Sequence, residues 1–435
     1  MANVINFGCR VNAYESEIIK KNSMELDGSH FILNSCAVTN EAEKDLLQQI
    51  KKIKKEHPES KIILTGCAAQ INPEKYSNLV NYVVGNVEKL EENTFRDIAQ
   101  NKFDPKKEEQ SITRYEDKIF NQSKTTTNNQ KNNLLVGDIM NAQNFKQEEI
   151  IEYQGTRAIV QVQNGCNHRC TFCIIPFGRG NSRSIPAGGV VSSIKNLVER
   201  GYKEIVLTGI DLTDYGKDLP LQPTLSQLVH RILKNVPELP RLRLSSIDVA
   251  EIDKDIFKIL ANEERFMPYF HLSLQSGDNL ILKRMKRRHT RQQVFEFCQK
   301  ANEIRKNIGF GADIIAGFPT EEDEHFENSL DIIKQCNIAF GHIFPFSAKN
   351  GTPAEKMPQV PMKIRKERAK ILRNETAKQL EILKQNMHGT IQKVLVEKDS
   401  KGHCENFVNI NLEKEYPVNE IVEFTYKHLH TNITK

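Results

Sequence analysis

Three cysteines within eight residues constrain what this chain can fold into more than any other feature of its sequence. They are Cys166, Cys170 and Cys173, in the stretch GCNHRCTFCIIPFGRG. A structural zinc site is usually closed by four ligands, and no nearby residue supplies the fourth, since His168 lies between two of the cysteines. Three thiolates can instead hold three irons of a 4Fe–4S cluster and leave the fourth iron open to a small molecule. Three buried thiols or an incomplete zinc site remain as alternatives.

The composition indicates in which cellular compartment a protein with such a cluster would be found. The chain has 435 residues, of which 38% are hydrophobic and 27% charged, enough for two or three separate cores. Its first segment, MANVINFGCRVNAYESE, is too short and too polar for a signal peptide, and no apolar run reaches the ~18 residues of a membrane span. We therefore expect a soluble cytoplasmic protein, with neither a membrane nor DNA as partner, whose nine cysteines are not paired as disulfides. The net charge of +5 permits a polyanionic partner without requiring one.

Six short, β-rich runs are separated by helix-like stretches, and this alternation predicts an α/β fold with parallel strands. The predicted strands are Ala158–Val162, Glu204–Thr208, Arg241–Ser246, Phe270–Gln275, Gly311–Ala316 and Ala339–Phe344. Cys166 directly follows the first of them. The cysteine loop should therefore lie at the carboxyl end of the sheet, where barrel enzymes place their chemistry.

The cysteine loop resembles that of the radical S-adenosylmethionine (SAM) enzymes, whose signature is this Cys-x3-Cys-x2-Cys spacing. The resemblance implies a partial (βα)6 barrel and a cluster whose open iron binds SAM and cleaves it to a radical. Phe172 stands where that family usually places an aromatic ring beside the adenine. Further candidate SAM contacts at strand ends are Gly209, Ser246 and Gln275, each of which is alternatively a turn residue. No catalytic residue is predicted beyond the cluster ligands.

The N-terminal hundred residues carry a second cysteine pattern. The runs VINFGC, HFILNSC and KIILTGC end at Cys9, Cys36 and Cys67, and each is followed by a helical stretch. A fourth run, NYVVG, completes a small parallel sheet. Cysteines at the carboxyl ends of three successive strands would converge in space. The pattern predicts a second three-thiolate cluster, with ordinary core cysteines as the alternative.

The other three cysteines do not share this pattern. Cys298 and Cys336 lie among apolar helical residues and are predicted to be core thiols, whereas Cys404 lies among polar residues near the C-terminus and looks incidental.

With two cysteine triplets, the chain resembles the methylthiotransferases over nearly its full length. The stretches GCRVNAYESE, GYKEIVLTGIDLTDYG and HLSLQSGDNLILKRMKRRHT agree with the branch that acts on threonylcarbamoyladenosine. The resemblance implies methylthiolation of carbon 2 of N6-threonylcarbamoyladenosine at position 37 of tRNAs reading ANN codons. Sulfur would come from the auxiliary 4Fe–4S cluster, and an electron donor such as flavodoxin or ferredoxin would be a partner. The alternatives are the sister branches, which modify isopentenyladenosine or a ribosomal-protein aspartate, and a non-catalytic iron–sulfur protein that binds RNA.

The resemblance also implies the domain order. Residues 1–100 form the auxiliary-cluster domain, 101–150 a polar linker, 151–385 the radical SAM core, and 386–435 a small β-barrel of the TRAM type. The linker is rich in Lys, Asn, Gln and Thr. A basic run, Lys283–Lys306, is either a tRNA phosphate contact or a solvated helix face. A helix over Lys363–Lys384 should bury Ile364, Ile371, Leu372 and Leu380.

Overall fold

The computed structural model describes residues 1–100, 102, 133–142, 153 and 155–427. Most of the predicted polar linker, 101–150, lies outside these residues. The described chain is α/β, as predicted, and it divides into two compact units. The first takes the described part of residues 1–152 together with 163–184 and 347–355, and the second takes 153–162, 185–346 and the chain from 356 onward. The domain boundaries predicted from sequence stay predictions.

The strands of the described residues are β1 Asn3–Asn6, β2 His30–Ser35, β3 Lys61–Gly66, β4 Tyr82–Val84, β5 Leu134–Leu135, β6 Arg157–Gln161, β7 Gln163–Asn164, β8 Arg183–Ser184, β9 Glu204–Thr208, β10 Arg241–Leu244, β11 Ser246–Ile247, β12 Tyr269–Gln275, β13 Gly309–Ala316, β14 Ile338–Pro345, β15 Ile391–Val396, β16 Lys401–Cys404, β17 Asn409–Asn411 and β18 Ile421–Thr425.

The α-helices of the same residues are α1 Arg10–Asn22, α2 Asn40–Glu56, α3 Cys67–Ile71, α4 Pro73–Ser77, α5 Glu92–Ala99, α6 Ile175–Arg179, α7 Ala187–Glu199, α8 Leu225–Asn235, α9 Asp255–Asn262, α10 Asn279–Arg284, α11 Arg291–Ile304, α12 Asp323–Gln335 and α13 Met362–Met387.

The first unit is built on a parallel sheet in the order β1-β2-β3-β4-β5. Its strands read as continuous apolar runs because both faces are buried: Leu33 and Leu64 belong to one core, while Ile32 and Ile63 belong to the core on the other face. The predicted four-stranded sheet is confirmed. The fifth strand, β5, comes from the segment that the sequence assigned to the linker.

The second unit contains the six predicted strands of the partial barrel. They pair in parallel as β10-β9-β6 and β11-β12-β13-β14, and β10 and β11 are separated only by Ser245. Helices α7 to α12 lie between successive strands in the sequence, as a right-handed parallel arrangement requires. The core thiols predicted at Cys298 and Cys336 are both buried.

The long helix α13 begins and ends close to its predicted bounds, but its buried face differs from the prediction. Leu372 is fully buried and Leu380 is partly buried, whereas Ile364 and Ile371 are exposed. The prediction was wrong for these two because arginines occupy the inner face instead. One of them, Arg365, donates to the carbonyl oxygens of Val360 and Phe346 and lies against a sharp turn of the chain.

The chain after α13 forms an antiparallel sheet in the order β17-β16-β15-β18. A buried carboxylate at the amino end of β9 anchors this sheet: Glu204 accepts hydrogen bonds from Arg243 at 3.0 Å and lies 3.1 Å from His403 Nε2. Cys404 is fully buried, and this burial raises the pKa of its thiol to about 12. It is therefore a core residue of the C-terminal sheet rather than an incidental one.

Candidate metal-cluster and SAM sites

The three N-terminal cysteines each follow a strand of the first sheet. Cys9 precedes α1, Cys36 comes directly after β2, and Cys67 comes directly after β3 and begins α3. Because β1, β2 and β3 are parallel neighbours, the three residues share one edge of the sheet. Gly66 permits the abrupt change from strand to helix: its φ is +95°, and a Cβ there would lie 2.2 Å from the carbonyl oxygen of Ser35.

These thiols affect one another electrostatically. Burial, together with the neighbouring thiols of Cys67 and Cys9, raises the pKa of Cys36 to about 11. A group that holds the three sulfurs as thiolates must therefore supply positive charge, which a metal cluster does. The donor set of three sulfurs with a buried cation beside it fits a cluster with one open iron.

The buried cation is Arg179, the last residue of α6, whose side chain is fully buried. Its Nε donates to the sulfur of Cys67 at 3.1 Å, while its two terminal nitrogens donate to Glu15 and Asn12. The other oxygen of Glu15 accepts from Lys89 Nζ at 2.7 Å. Two cations facing one carboxylate leave a surplus positive charge beside the cysteine sulfur, which suits a thiolate.

Sequence analysis missed this network. Arg179 lies shortly after the cysteine loop, and neither this arginine nor Glu15 or Lys89 stands out in the sequence from other charged residues. Their partners are far away in the chain, so no local signal identifies them.

The helix that carries Arg179 also packs against the helix that begins at Cys67. A Cβ on Gly178 would lie 3.3 Å from the Cβ of Cys67, and the carbonyl oxygen of Gly178 accepts from the Asn86 side chain at 2.5 Å. Both cysteine triplets consequently belong to the first compact unit.

The second triplet lies on an irregular loop between β7 and α6. The loop is closed at its base, where the backbone N–H of Cys166 donates to the carbonyl oxygen of Gly180 at 3.0 Å. Within it, the N–H of Cys173 donates to the oxygen of Cys170 at 3.1 Å, and the N–H of His168 donates to the sulfur of Cys166 at 3.4 Å. All three thiols are partly exposed. A half-exposed loop of three thiols, with one backbone N–H turned to a sulfur, fits an accessible cluster rather than core packing.

The predicted SAM contacts fall on two parts of the fold. Phe172 is half-buried in the cysteine loop, whereas Gly209 follows β9, Ser246 begins β11 and Gln275 ends β12. Gln275 has a φ of +63°, which is uncommon for a residue with a side chain, and the pairing of β12 with β13 shifts register there. Such irregularities are frequent beside binding sites. The role of these four residues stays a prediction.

The basic run Lys283–Lys306 divides into two kinds of residue. Its arginines bond within the fold: Arg287 pairs with Asp248 at 2.6 Å, and the others contact backbone oxygens or carboxylates. The exposed basic residues are four lysines, among them Lys283 and Lys286, and Arg288, which already pairs with the carboxylate of Glu251. A phosphate contact would therefore fall to the lysines.

Comparison with known proteins agrees with these sites. Residues 160–333 match the Radical SAM superfamily, and residues 1–85 match a family described as uncharacterized protein family UPF0004. The chain is 48% identical over 423 residues to the threonylcarbamoyladenosine tRNA methylthiotransferase MtaB of Rickettsia prowazekii, covering 96% of this chain and 93% of that protein. It is 32% identical to the MtaB of Aquifex aeolicus, covering 95% and 97%. A tRNA-2-methylthio-N(6)-dimethylallyladenosine synthase from Finegoldia magna is 28% identical, covering 95% and 89%.

Among solved structures, the radical SAM methyltransferase TsrM from Kitasatospora setae superimposes with a TM-score of 0.53 at 13% identity. The match covers 78% of this chain and 65% of that one, and at this identity it speaks for the fold alone. Within the described part of the chain, no helix has the length and apolar character needed to cross a membrane.

Full-length similarity at 48% identity, a radical SAM match over the cysteine loop and barrel, and an N-terminal match over the second triplet all agree. The cofactors of such enzymes are 4Fe–4S clusters and SAM. The chain belongs to the radical SAM methylthiotransferases, as a tRNA methylthiotransferase of the MtaB type.

Proposed function

We propose that this enzyme methylthiolates carbon 2 of N6-threonylcarbamoyladenosine at position 37 of tRNAs that read ANN codons. The observation that carries the proposal is the similarity to the Rickettsia prowazekii MtaB, which extends over 96% of the chain. Convergence of Cys9, Cys36 and Cys67 at one sheet edge supports it, because insertion of sulfur needs a second cluster besides the one that binds SAM.

In this proposal Cys166, Cys170 and Cys173 hold the cluster that binds SAM, and Cys9, Cys36 and Cys67 hold the auxiliary cluster. When bound, the two groups supply the radical that removes a hydrogen atom and the sulfur that replaces it. The hydrogen on carbon 2 of adenine is not acidic, so a carboxylate or imidazole of the chain gains little as a base there. The chain's own contribution is to hold, neutralise and shield these groups.

Two sets of residues would hold the auxiliary cluster and SAM in place. Arg179 keeps a positive charge 3.1 Å from the sulfur of Cys67. Gly209, Ser246 and Gln275, at the termini of barrel strands, would contact SAM through backbone and polar side-chain groups, with Phe172 against its adenine.

The partners follow from the reaction. The tRNA would meet exposed lysines such as Lys283 and Lys286, whose charge suits phosphate. A small reductant such as flavodoxin or ferredoxin would supply the electron, and the enzyme would act in the cytoplasm.

A direct test compares two tRNA substrates with the anaerobically reconstituted enzyme, SAM and a reductant. One tRNA carries threonylcarbamoyladenosine at position 37 and the other carries isopentenyladenosine. Nucleoside mass spectrometry should detect the methylthio product from the first only. A methylthio product from the second tRNA alone would show that the substrate is isopentenyladenosine and would leave tRNA methylthiolation as the activity. Formation of 5′-deoxyadenosine without either product would argue against both tRNA substrates.

A further inference from the structure

Three ligand-type side chains, none of them a cysteine, meet on adjoining strands of the barrel. His271 lies on β12, Asp313 on β13 and His342 on β14, and Asp313 is the direct cross-strand partner of His342. The carboxylate Oδ1 of Asp313 is 3.2 Å from His271 Nε2 and 3.3 Å from His342 Nδ1. The three ligand atoms all lie within 4.8 Å of one another.

These side chains point away from the helices that cover the barrel. The residue before His271, Phe270, packs its ring 5.2 Å from that of Phe297 on α11. The residue before His342, Gly341, is so close to α13 that a Cβ there would lie 2.5 Å from Thr376. Because successive strand residues face opposite sides of a sheet, His271 and His342 face the barrel interior.

The hydroxyl of Tyr269 fixes the orientation of the His271 ring. Its Nδ1 lies 3.0 Å from the hydroxyl of Tyr269, so the ring presents Nε2 towards Asp313. The residue is only 2% exposed, yet Nε2 has no well-aligned hydrogen bond in the part of the chain that the structure describes. A buried nitrogen whose polar neighbour, here the Asp313 carboxylate at 3.2 Å, is poorly aligned for a hydrogen bond calls for an explanation. Metal-binding histidines are oriented in this way, with the second ring nitrogen held by a polar group.

The spacing suits a metal ion. Ligand atoms bound ~2.1 Å from one cation in tetrahedral or octahedral geometry lie about 3.0 to 3.4 Å apart, which spans both contacts of Asp313. Two imidazoles and one carboxylate with open positions are the donor set of zinc and of ferrous iron in proteins. The alternative is a chain of hydrogen bonds without a metal, which leaves the misaligned Nε2 of His271 without a reason.

We propose that His271, Asp313 and His342 bind one divalent cation of the zinc or ferrous class inside the barrel. This site shares no residue with either cysteine triplet, and the methylthiolation proposed above assigns it no role. It joins three adjacent strands, including β14, which is the end strand of its sheet. The side chain of His342 is 59% exposed, so the cation can enter from that side and keep positions for further ligands.

Zinc is a suitable probe because it is absent from iron–sulfur clusters. The reconstituted holoenzyme is dialysed against Zn²⁺, and zinc and iron are measured per chain by mass spectrometry together with the thermal midpoint. The variants are Asp313→Asn, which preserves shape, and His342→Gln, at an exposed position. His230→Gln, an exposed histidine on α8, is the matched control.

We expect one zinc per chain and a midpoint higher by several degrees in the parent enzyme and the control, because a cation that binds only the folded chain stabilises it. Both variants should lose that zinc and that rise while keeping their iron. Equal zinc in the variants and the parent enzyme would overturn the proposal, as would no zinc in the parent.

Discussion

The guanidinium of Arg179 donates a hydrogen bond of 3.1 Å to the sulfur of Cys67, although 112 residues separate the two. Arg179 follows one cysteine triplet by only a few residues, and Cys67 belongs to the other. The same side chain neutralises Glu15, so a single buried guanidinium serves the fold and the proposed auxiliary cluster together. Its replacement should therefore change both stability and the properties of that cluster.

Arg179→Gln should destabilise the enzyme by about 3–5 kcal/mol, since it leaves Glu15 facing Lys89 without its second cation. Urea unfolding followed by circular dichroism measures this loss. Arg179→Lys should restore part of the stability but not the hydrogen bond to sulfur.

The same two variants should change the redox potential of a cluster. Hydrogen bonds to cluster sulfurs favour the reduced cluster, so the midpoint potential of one cluster should fall in both variants. Arg96→Gln, at an exposed site in the same unit, should change neither quantity. Unchanged potentials in both Arg179 variants would contradict a role beyond folding.

Replacing Cys9, Cys36 and Cys67 by Ala should lower the iron content from about eight to about four per chain, because one of two 4Fe–4S clusters is lost. SAM cleavage should survive, since the other triplet holds the cluster that makes the radical. The products should be 5′-deoxyadenosine without methylthiolated tRNA, measured by liquid chromatography with mass spectrometry. Methylthiolated product from this variant would refute the two-cluster mechanism.

The reciprocal change, Cys166, Cys170 and Cys173 to Ala, should also leave about four irons but abolish SAM cleavage altogether. The substitution of Cys298 by Ala is the control, because that cysteine is a buried core thiol with no predicted ligand role. It should keep about eight irons and active SAM cleavage at moderately reduced stability. Formation of 5′-deoxyadenosine by the triple variant would show that the radical arises elsewhere.

Glu204 should make stability depend on pH. Burial raises the pKa of Glu204, but Arg243 and His403 outweigh it and hold the pKa well below its ordinary value of 4.5. A carboxyl with a depressed folded pKa contributes stability above its unfolded pKa and loses it as the pH falls through the folded value. The difference in unfolding free energy between the parent enzyme and Glu204→Gln should therefore shrink as the pH falls below about 4.5. A difference that grows as the pH falls further in that acidic range would contradict this assignment.

The sequence predicted the strands well because their signals are local. Each of the six barrel strands and the runs ending at Cys9, Cys36 and Cys67 is a short apolar segment bounded by turn residues, and the structure has a strand at every one of them. The convergence of these three cysteines followed from parallel pairing alone. The raised pKa of Cys36 and the shared sheet edge of the three residues fit that expectation.

What the sequence could not predict depends on distant contacts. Glu15 meets Lys89 across 74 residues and Arg179 across 164, so no window of the sequence contains the network. The histidines of the barrel interior look like ordinary strand residues until β12, β13 and β14 are set side by side. The predicted burial of Ile364 and Ile371 on α13 was wrong because arginines, rather than these isoleucines, fill the inner side of the helix.

The placement of Arg179 bears on how hybrid enzymes of this family could be assembled. Residues 163–184 are encoded after the polar segment, yet they complete the N-terminal compact unit. An exchange of the first 150 residues between sister enzymes would set a foreign side chain against Glu15 and Cys67. A working hybrid should therefore carry the matching cysteine loop and α6 along with its N-terminal sheet, so that residue 179 comes from the same enzyme as residues 15 and 67.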